Sequence, residues 1–283
     1  MTFLNILILA VVQGAAELLP VSSSAHVIVA EKLLGLDPTK PEMTLLLVLL
    51  HTGTMFAVIW YFRRQWRESF FSSAKALRDS AAAIIFATVC TGVVGLLLKW
   101  IIEKTLFRGA PHAEIELLFG NLALISGALA AAGILIIVAG LKSQRSAGRE
   151  RIRGRDALII GAVQGICLPF RGFSRSGATI SAGLLLGLEK VKLEAFSFAL
   201  AVVLTPPVVA RELLRMMKAQ GATHLDLPGM LYPGLLGMVL SFVSGLAALK
   251  WLSSWLEEGR WQYFGYYCLA GSVLVFTLYR AGF

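Results

Sequence analysis

Only 15% of the 283 residues are charged and 57% are hydrophobic, with a mean hydropathy of +0.74. Soluble domains carry roughly 25% charged residues, so this composition excludes an ordinary water-soluble fold and points to lipid as the solvent. A net charge of +9 would suggest nucleic acid in a soluble chain; here many bases sit in short loops between apolar runs, the positive-inside pattern, and no nucleic-acid partner is expected.

The first apolar run, residues 3–19, meets a polar break and is followed by a short run, 26–36. Crossing some 30 Å of hydrocarbon takes about 20 residues, so neither run spans comfortably alone. Together they read as a re-entrant helix pair, tolerated at membrane depth only where protein or water covers the broken backbone. No basic residue precedes Lys32, so the charged region of a cleaved signal peptide is not expected. Full spans then read as 43–62, 81–102 and 118–141. The loop after the first holds Arg63, Arg64, Arg67, Lys75 and Arg78; the loop after the third holds Lys142, Arg145, Arg149, Arg151, Arg153 and Arg155. Two crossings separate these loops, so both are assigned to the cytoplasm, and the loop 103–117, with Glu103, Glu114 and Glu116, to the outside.

The second half repeats the first. Val12-Gln13-Gly14 matches Val163-Gln164-Gly165, and after a one-residue shift Val21-Ser22-Ser23-Ser24-Ala25 aligns with Phe173-Ser174-Arg175-Ser176-Gly177. Leu34-Gly35-Leu36 and Glu42 match Leu186-Gly187-Leu188 and Glu194 at that offset, and spans at 195–217, 229–254 and 261–280 follow. The expected fold is therefore an all-α polytopic membrane protein in one integral domain. Units 1–142 and 156–283, joined by a cytoplasmic loop at 143–155, each hold a re-entrant pair plus three transmembrane helices. An odd number of crossings per unit makes the repeat inverted, an architecture that places broken helices at a shared midplane site. This topology leaves Arg211, Arg215 and Lys218 near the outer side, which the charge rule does not explain. Cys90, Cys167 and Cys268 lie in apolar runs and read as small buried hydrophobes. Trp60, Trp66, Trp100, Trp261, Tyr267 and Tyr279, among other span-end aromatics, read as an interface belt.

The two breaks carry the polar chemistry. In the first, helical spacing puts Gln13 and Glu17 on one face, Pro20 stops the helix, and Ser22, Ser23, Ser24 and His26 follow. Ionisable groups at membrane depth are costly and mark a functional site. In the second, Gly172 and Gly177 would let the backbone approach a ligand, Ser174, Ser176 and Thr179 supply hydroxyls, and Arg175 supplies a planar fork of donors. That set, at a helix start, suits a phosphate. Gln164 has no acidic partner, because Leu168 stands where the counterpart of Glu17 would be, and reads as polar glue between helices. His51 and Glu42 either line the pocket or bridge helices.

These motifs resemble the undecaprenyl-diphosphate phosphatases of the bacitracin-resistance type. The likeness rests on Gln13 to Glu17, on Pro20-Val21-Ser22-Ser23 with His26, on Gly172-Phe173-Ser174-Arg175-Ser176 with Thr179, and on Glu194-Ala195-Phe196-Ser197-Phe198. Arg171 departs from the family's usual Pro, Gln13 from a frequent Glu, and His51 stands where Gln is expected. The resemblance implies hydrolysis of a polyprenyl diphosphate lipid to its monophosphate, which recycles the carrier for wall precursors in the bacterial inner membrane, with the site open to the periplasm. Arg175 would pair with phosphate oxygens, and Mg2+ or Ca2+ held by Glu17 with Gln13 would reconcile the carboxylate with an anionic head. Ser22, Gly172, Ser174, Ser176 and Thr179 would complete the substrate cradle. Two nucleophiles stay open: Ser23 with His26 as its base, or His26 attacking phosphorus or activating water. A homodimer is compatible with the chain but not readable from it. The competing function is a lipid-phosphate flippase using the same anion site.

Overall fold

The computed structural model describes residues 2–36, 41–106, 121–143, 148–219 and 227–282. The predicted outer loop at 107–117, with Glu114 and Glu116, and Arg145 lie outside the described residues, as do the side chains of Glu42, Arg215 and Lys218.

Short and long helices alternate in a repeated order. Two short helices, α1 (Phe3–Leu18) and α2 (Ser23–Leu33), precede three long ones, α3 (Pro41–Ser69), α4 (Ala74–Leu106) and α5 (Leu122–Ser143). The order recurs in α6 (Gly154–Cys167) and α7 (Arg175–Leu185), followed by α8 (Lys190–Ala219), α9 (Leu227–Glu257) and α10 (Trp261–Arg280). At 1.5 Å per residue the 16 residues of α1 reach only about 24 Å and the 11 of α7 about 17 Å, so neither crosses a membrane alone. Five helices, α3, α4, α5, α8 and α9, are long and apolar enough to cross, which makes the chain a multi-pass membrane protein. The sixth predicted span, α10, has the length, but Gln262 and its tyrosines dilute its apolar character. Among the described residues the only extended pairing is a single bridge between Arg149 and Leu188.

With no water to exclude between spans, packing in lipid rests on close approach and on polar cross-links. A Cβ on Gly161 of α6 would lie 2.3 Å from the Ala87 carbonyl oxygen of α4, so only glycine permits this crossing. Beside it Gln164 donates to Thr91 Oγ1 at 3.3 Å, and Thr91 donates to the Gly161 carbonyl at 2.9 Å, the polar glue expected of Gln164. Ser253 of α9 likewise donates to the buried Glu194 of α8 at 2.6 Å. Leu129 and Ile136 of α5, Phe196 and Phe198 of α8, Leu249 and Leu252 of α9 and Cys268 of α10 form one apolar core around the end of α1. Cys167 and Cys268 are buried, as expected, whereas Cys90 is half-buried.

The loop before α6 is fastened electrostatically. Arg149 forks onto Asp156 at 2.9 and 3.1 Å, and the Arg153 N–H donates to the same carboxylate at 2.8 Å. Burial by itself would raise the Asp156 carboxyl; the Arg149 fork and the Arg153 N–H outweigh it and hold the group below its ordinary value. A depressed carboxylate stabilises the fold above the ordinary carboxylate range, and that contribution is lost as pH falls through the depressed value. Asp156→Asn therefore lowers the thermal midpoint at neutral pH. Midpoints of both proteins followed downward in pH should converge under acid; a gap that persists at the lowest pH would remove the ion pair as its cause.

Candidate active site

Pro20 ends α1 by removing a helical donor, and the chain reverses within three residues. Leu19 is extended, the Val21 N–H closes back on the Leu19 carbonyl at 2.8 Å, and Ser22 adopts φ 67° and ψ 94°. Such a conformation costs a non-glycine residue on the order of 1–3 kcal/mol and persists only where neighbours hold it. The holder is His26, whose Nδ1 lies 2.8 Å from the Ser22 carbonyl oxygen. A carbonyl only accepts, so Nδ1 carries the proton, and Nε2 of the neutral ring accepts from the Tyr267 hydroxyl at 2.8 Å. The two rings stack with centroids 5.7 Å apart. This clamp opens α2 with Ser23, whose hydroxyl donates to Glu17 Oε2 at 2.6 Å. Gln13, one turn back on α1, donates to the same oxygen at 3.2 Å.

The second break lies against the first. Ser174 caps α7 by accepting from the Gly177 N–H at 3.2 Å, which places Arg175 in the helix's first turn. Ser176 donates to the Leu19 carbonyl at 3.3 Å, and the Gly172 N–H donates to Ser24 Oγ at 3.4 Å. Arg175 Nη2 donates to Glu17 Oε1 at 3.3 Å, while the buried Nη1 of the same guanidinium has no partner. A guanidinium edge without an acceptor is costly in a buried site, and its geometry is one that phosphate or carboxylate oxygens can satisfy. His51 of α3 completes the ring around the carboxylate, with Nε2 3.7 Å from Glu17 Oε2 and Nδ1 2.8 Å from the Leu47 carbonyl.

Several expectations change in detail. Ser23 contacts Glu17, whereas both ring nitrogens of His26 are engaged elsewhere, so the serine's acceptor is the carboxylate. Gly172, at φ 99°, and Gly177 serve packing: a Cβ on the first would sit 2.4 Å from the Ile125 carbonyl oxygen, and one on the second 2.8 Å from Ile136 Cδ1. Thr179 is fully buried, donates to the Arg175 carbonyl at 2.8 Å and meets Ser197 Oγ at 2.6 Å, so it braces α7 against α8. Ser22 occupies the N-cap of α2, but its hydroxyl pairs with Ser24 at 3.3 Å instead of capping. Two aromatics leave the interface belt. Trp261 is buried and donates to Ser181 at 3.0 Å, and Tyr267 is part of the site. Nothing in the sequence separates Tyr267 from the neighbouring tyrosines of α10; only the packing selects it.

Fold and site together define a polytopic membrane protein in which two interrupted helix pairs enclose an acid–serine couple and a buried arginine. The chain belongs to the bacitracin resistance protein BacA family, which it matches over residues 6–274. It is 58% identical over 283 residues to undecaprenyl-diphosphatase 2 of Acinetobacter baylyi, with 98% of each chain covered. Undecaprenyl-diphosphatase 2 of Burkholderia thailandensis is 36% identical over 93% of this chain and 92% of its own. Undecaprenyl-diphosphatase of Desulfatibacillum aliphaticivorans is 33% identical over 97% of this chain and 98% of its own.

Proposed function

We propose that this chain hydrolyses undecaprenyl diphosphate, within the membrane, to the monophosphate and inorganic phosphate. That reaction regenerates the lipid carrier for cell-wall synthesis and underlies resistance to bacitracin. The observation that carries the reading is the 2.6 Å Ser23–Glu17 hydrogen bond beside the unpartnered Nη1 of Arg175. Ser23 Oγ attacks the terminal phosphorus as its proton passes to Glu17 Oε2. The bond from that phosphorus to the bridging oxygen breaks, and the lipid monophosphate leaves with the oxygen. Water then attacks the serine phosphate, Ser23 Oγ recovers the proton, and phosphate departs. Arg175 Nη1 neutralises charge on the equatorial oxygens, where phosphoryl transfer takes most of its acceleration.

A divalent cation fits this donor set as a bridge to substrate. Among the described residues no three His, Cys, Asp or Glu side chains converge, so Mg2+ or Ca2+ would be held by Glu17, with Gln13 beside it, and by phosphate oxygens. Such an ion would supply further charge neutralisation. The repeated order of short and long helices, and the meeting of the two breaks, support units 1–142 and 156–283 related as an inverted repeat about the site. The site would then open to the periplasmic side of the bacterial inner membrane. A carrier that only moves lipid phosphate would need Arg175 and helix ends, but no serine bound to a carboxylate.

Phosphate release by the purified protein in detergent, from a prenyl diphosphate, tests the reading. Ser23→Ala should reduce release by at least a thousandfold, as loss of a nucleophile does. No release from the parent protein would favour the carrier. Tyr267→Phe removes one donor from His26, a bond worth about 1 kcal/mol, and should lower kcat about 5- to 10-fold with KM unchanged. A change confined to KM would place Tyr267 against the substrate instead.

A further inference from the structure

Away from the site lies a cavity of about 710 Å3, within the range of small-molecule sites. It is bounded by the end of α3 at Ser69 and Phe70, by α4, by the loop before α6 and by the start of α8. Ser69 follows His51 by 18 residues of one helix, about 27 Å along its axis, so this cavity is separate from the Glu17–Arg175 cluster.

Its walls divide by chemistry. Phe70, Phe86 and Phe196 give an apolar side, and Arg149, Arg151, Arg153 and Lys192 a basic one. Two acids, Asp79 and Glu150, line the cavity beside these four bases. Arg149 is committed to Asp156, and Arg151 lies 3.7 Å from Asp79 in a largely exposed pair. Lys192 donates at 3.0 Å to the neutral hydroxyl of Ser69, while the neighbouring Glu189 carboxylate accepts from the N–H groups of Val191 and Lys192 at 3.0 and 2.8 Å. The apolar side continues outward: Phe86 lines the cavity and is half exposed, and Val89 and Val93 extend the same exposed surface along α4. The apolar window of that helix is only 22% buried, so this surface faces lipid. A basic pocket between transmembrane helices, continuous with a lipid-facing groove at the end of the spans that carries the bases, fits an anionic head group with its chains alongside.

We propose that this cavity binds an anionic phospholipid, its phosphate against Lys192 and Arg151 and an acyl chain along Phe86, Val89 and Val93. The site is independent of the catalytic cluster.

The full-length protein is titrated in detergent with phosphatidylglycerol, phosphatidylcholine or inorganic phosphate. Native mass spectrometry reads bound lipid, and the thermal midpoint reads stabilisation. Phosphatidylglycerol should bind and stabilise where the other two do not. Lys192→Gln with Arg151→Gln should weaken that binding roughly 30-fold, from the loss of two near-surface charges, and leave diphosphate hydrolysis in detergent unchanged. The control is Arg64→Gln with Arg67→Gln, two exposed bases of α3 outside the cavity, which should change binding less than threefold. Equal weakening by both pairs would reduce the effect to the general field of the basic face and overturn the site. Equal response to phosphatidylcholine, or full stabilisation by inorganic phosphate, would overturn the anionic lipid as occupant.

Discussion

Arg175→Ala lowers turnover about a thousandfold or more, the cost of removing a principal donor to transition-state charge in phosphoryl transfer. Two losses coincide: Nη1 no longer meets phosphate, and Glu17 Oε1 loses the cation at 3.3 Å. Arg175→Lys is the sharper experiment. One ammonium is a point charge on a flexible stem and cannot hold Glu17 and a phosphate oxygen from two fixed nitrogens, so turnover should still fall at least a hundredfold. Steady-state phosphate release checks both variants, beside a thermal midpoint showing that α7 remains seated. A lysine variant with near-parental turnover would mean that only net charge matters here, and the guanidinium geometry would lose its role.

Gly172→Ala should cost several kcal/mol of stability, enough to deplete folded protein when total stability is about 5–15 kcal/mol. The position sits at φ 99°, where an L side chain is strained, and the new Cβ would lie 2.4 Å from the backbone oxygen of Ile125. Neither partner can yield, because Ile125 O belongs to the fixed ladder of α5. Gly187→Ala separates the two causes: its φ of 74° imposes strain, but nothing lies within 4 Å of the added carbon. Midpoints by thermal unfolding in detergent should rank parent, then Gly187→Ala, then Gly172→Ala well below. Equal losses at both glycines would show that strain alone, without the Ile125 contact, explains the effect.

The parts of the site readable before folding are those encoded locally. Gln13 and Glu17 share a face because they are one turn apart, and Pro20 ends that helix because it lacks an N–H. Ser174 reads as a hydroxyl of the substrate cradle, and the structure shows it also capping α7 through the Gly177 N–H. The roles of single side chains were less legible. Ser23 and His26 lie three residues apart, which suggests a catalytic pair, yet the left-handed turn at Ser22 directs the serine to Glu17 and the imidazole to Tyr267. The glycines of the second break read as places where backbone approaches a ligand, and Ile125 and Ile136 are what a Cβ there would meet.

Composition and local pattern determined that this chain lives in lipid, where its apolar spans lie and where its helices break, because hydropathy, proline and capping residues act over a turn or two. The tertiary structure alone decided what meets at the breaks. Arg175 and Glu17 are 158 residues apart in sequence and Tyr267 and His26 are 241 apart, and their contact follows from how α7 and α10, both packed against α5, meet α1 and α2. No local rule carries that information, since each partner by itself is an ordinary polar residue near the end of an apolar helix.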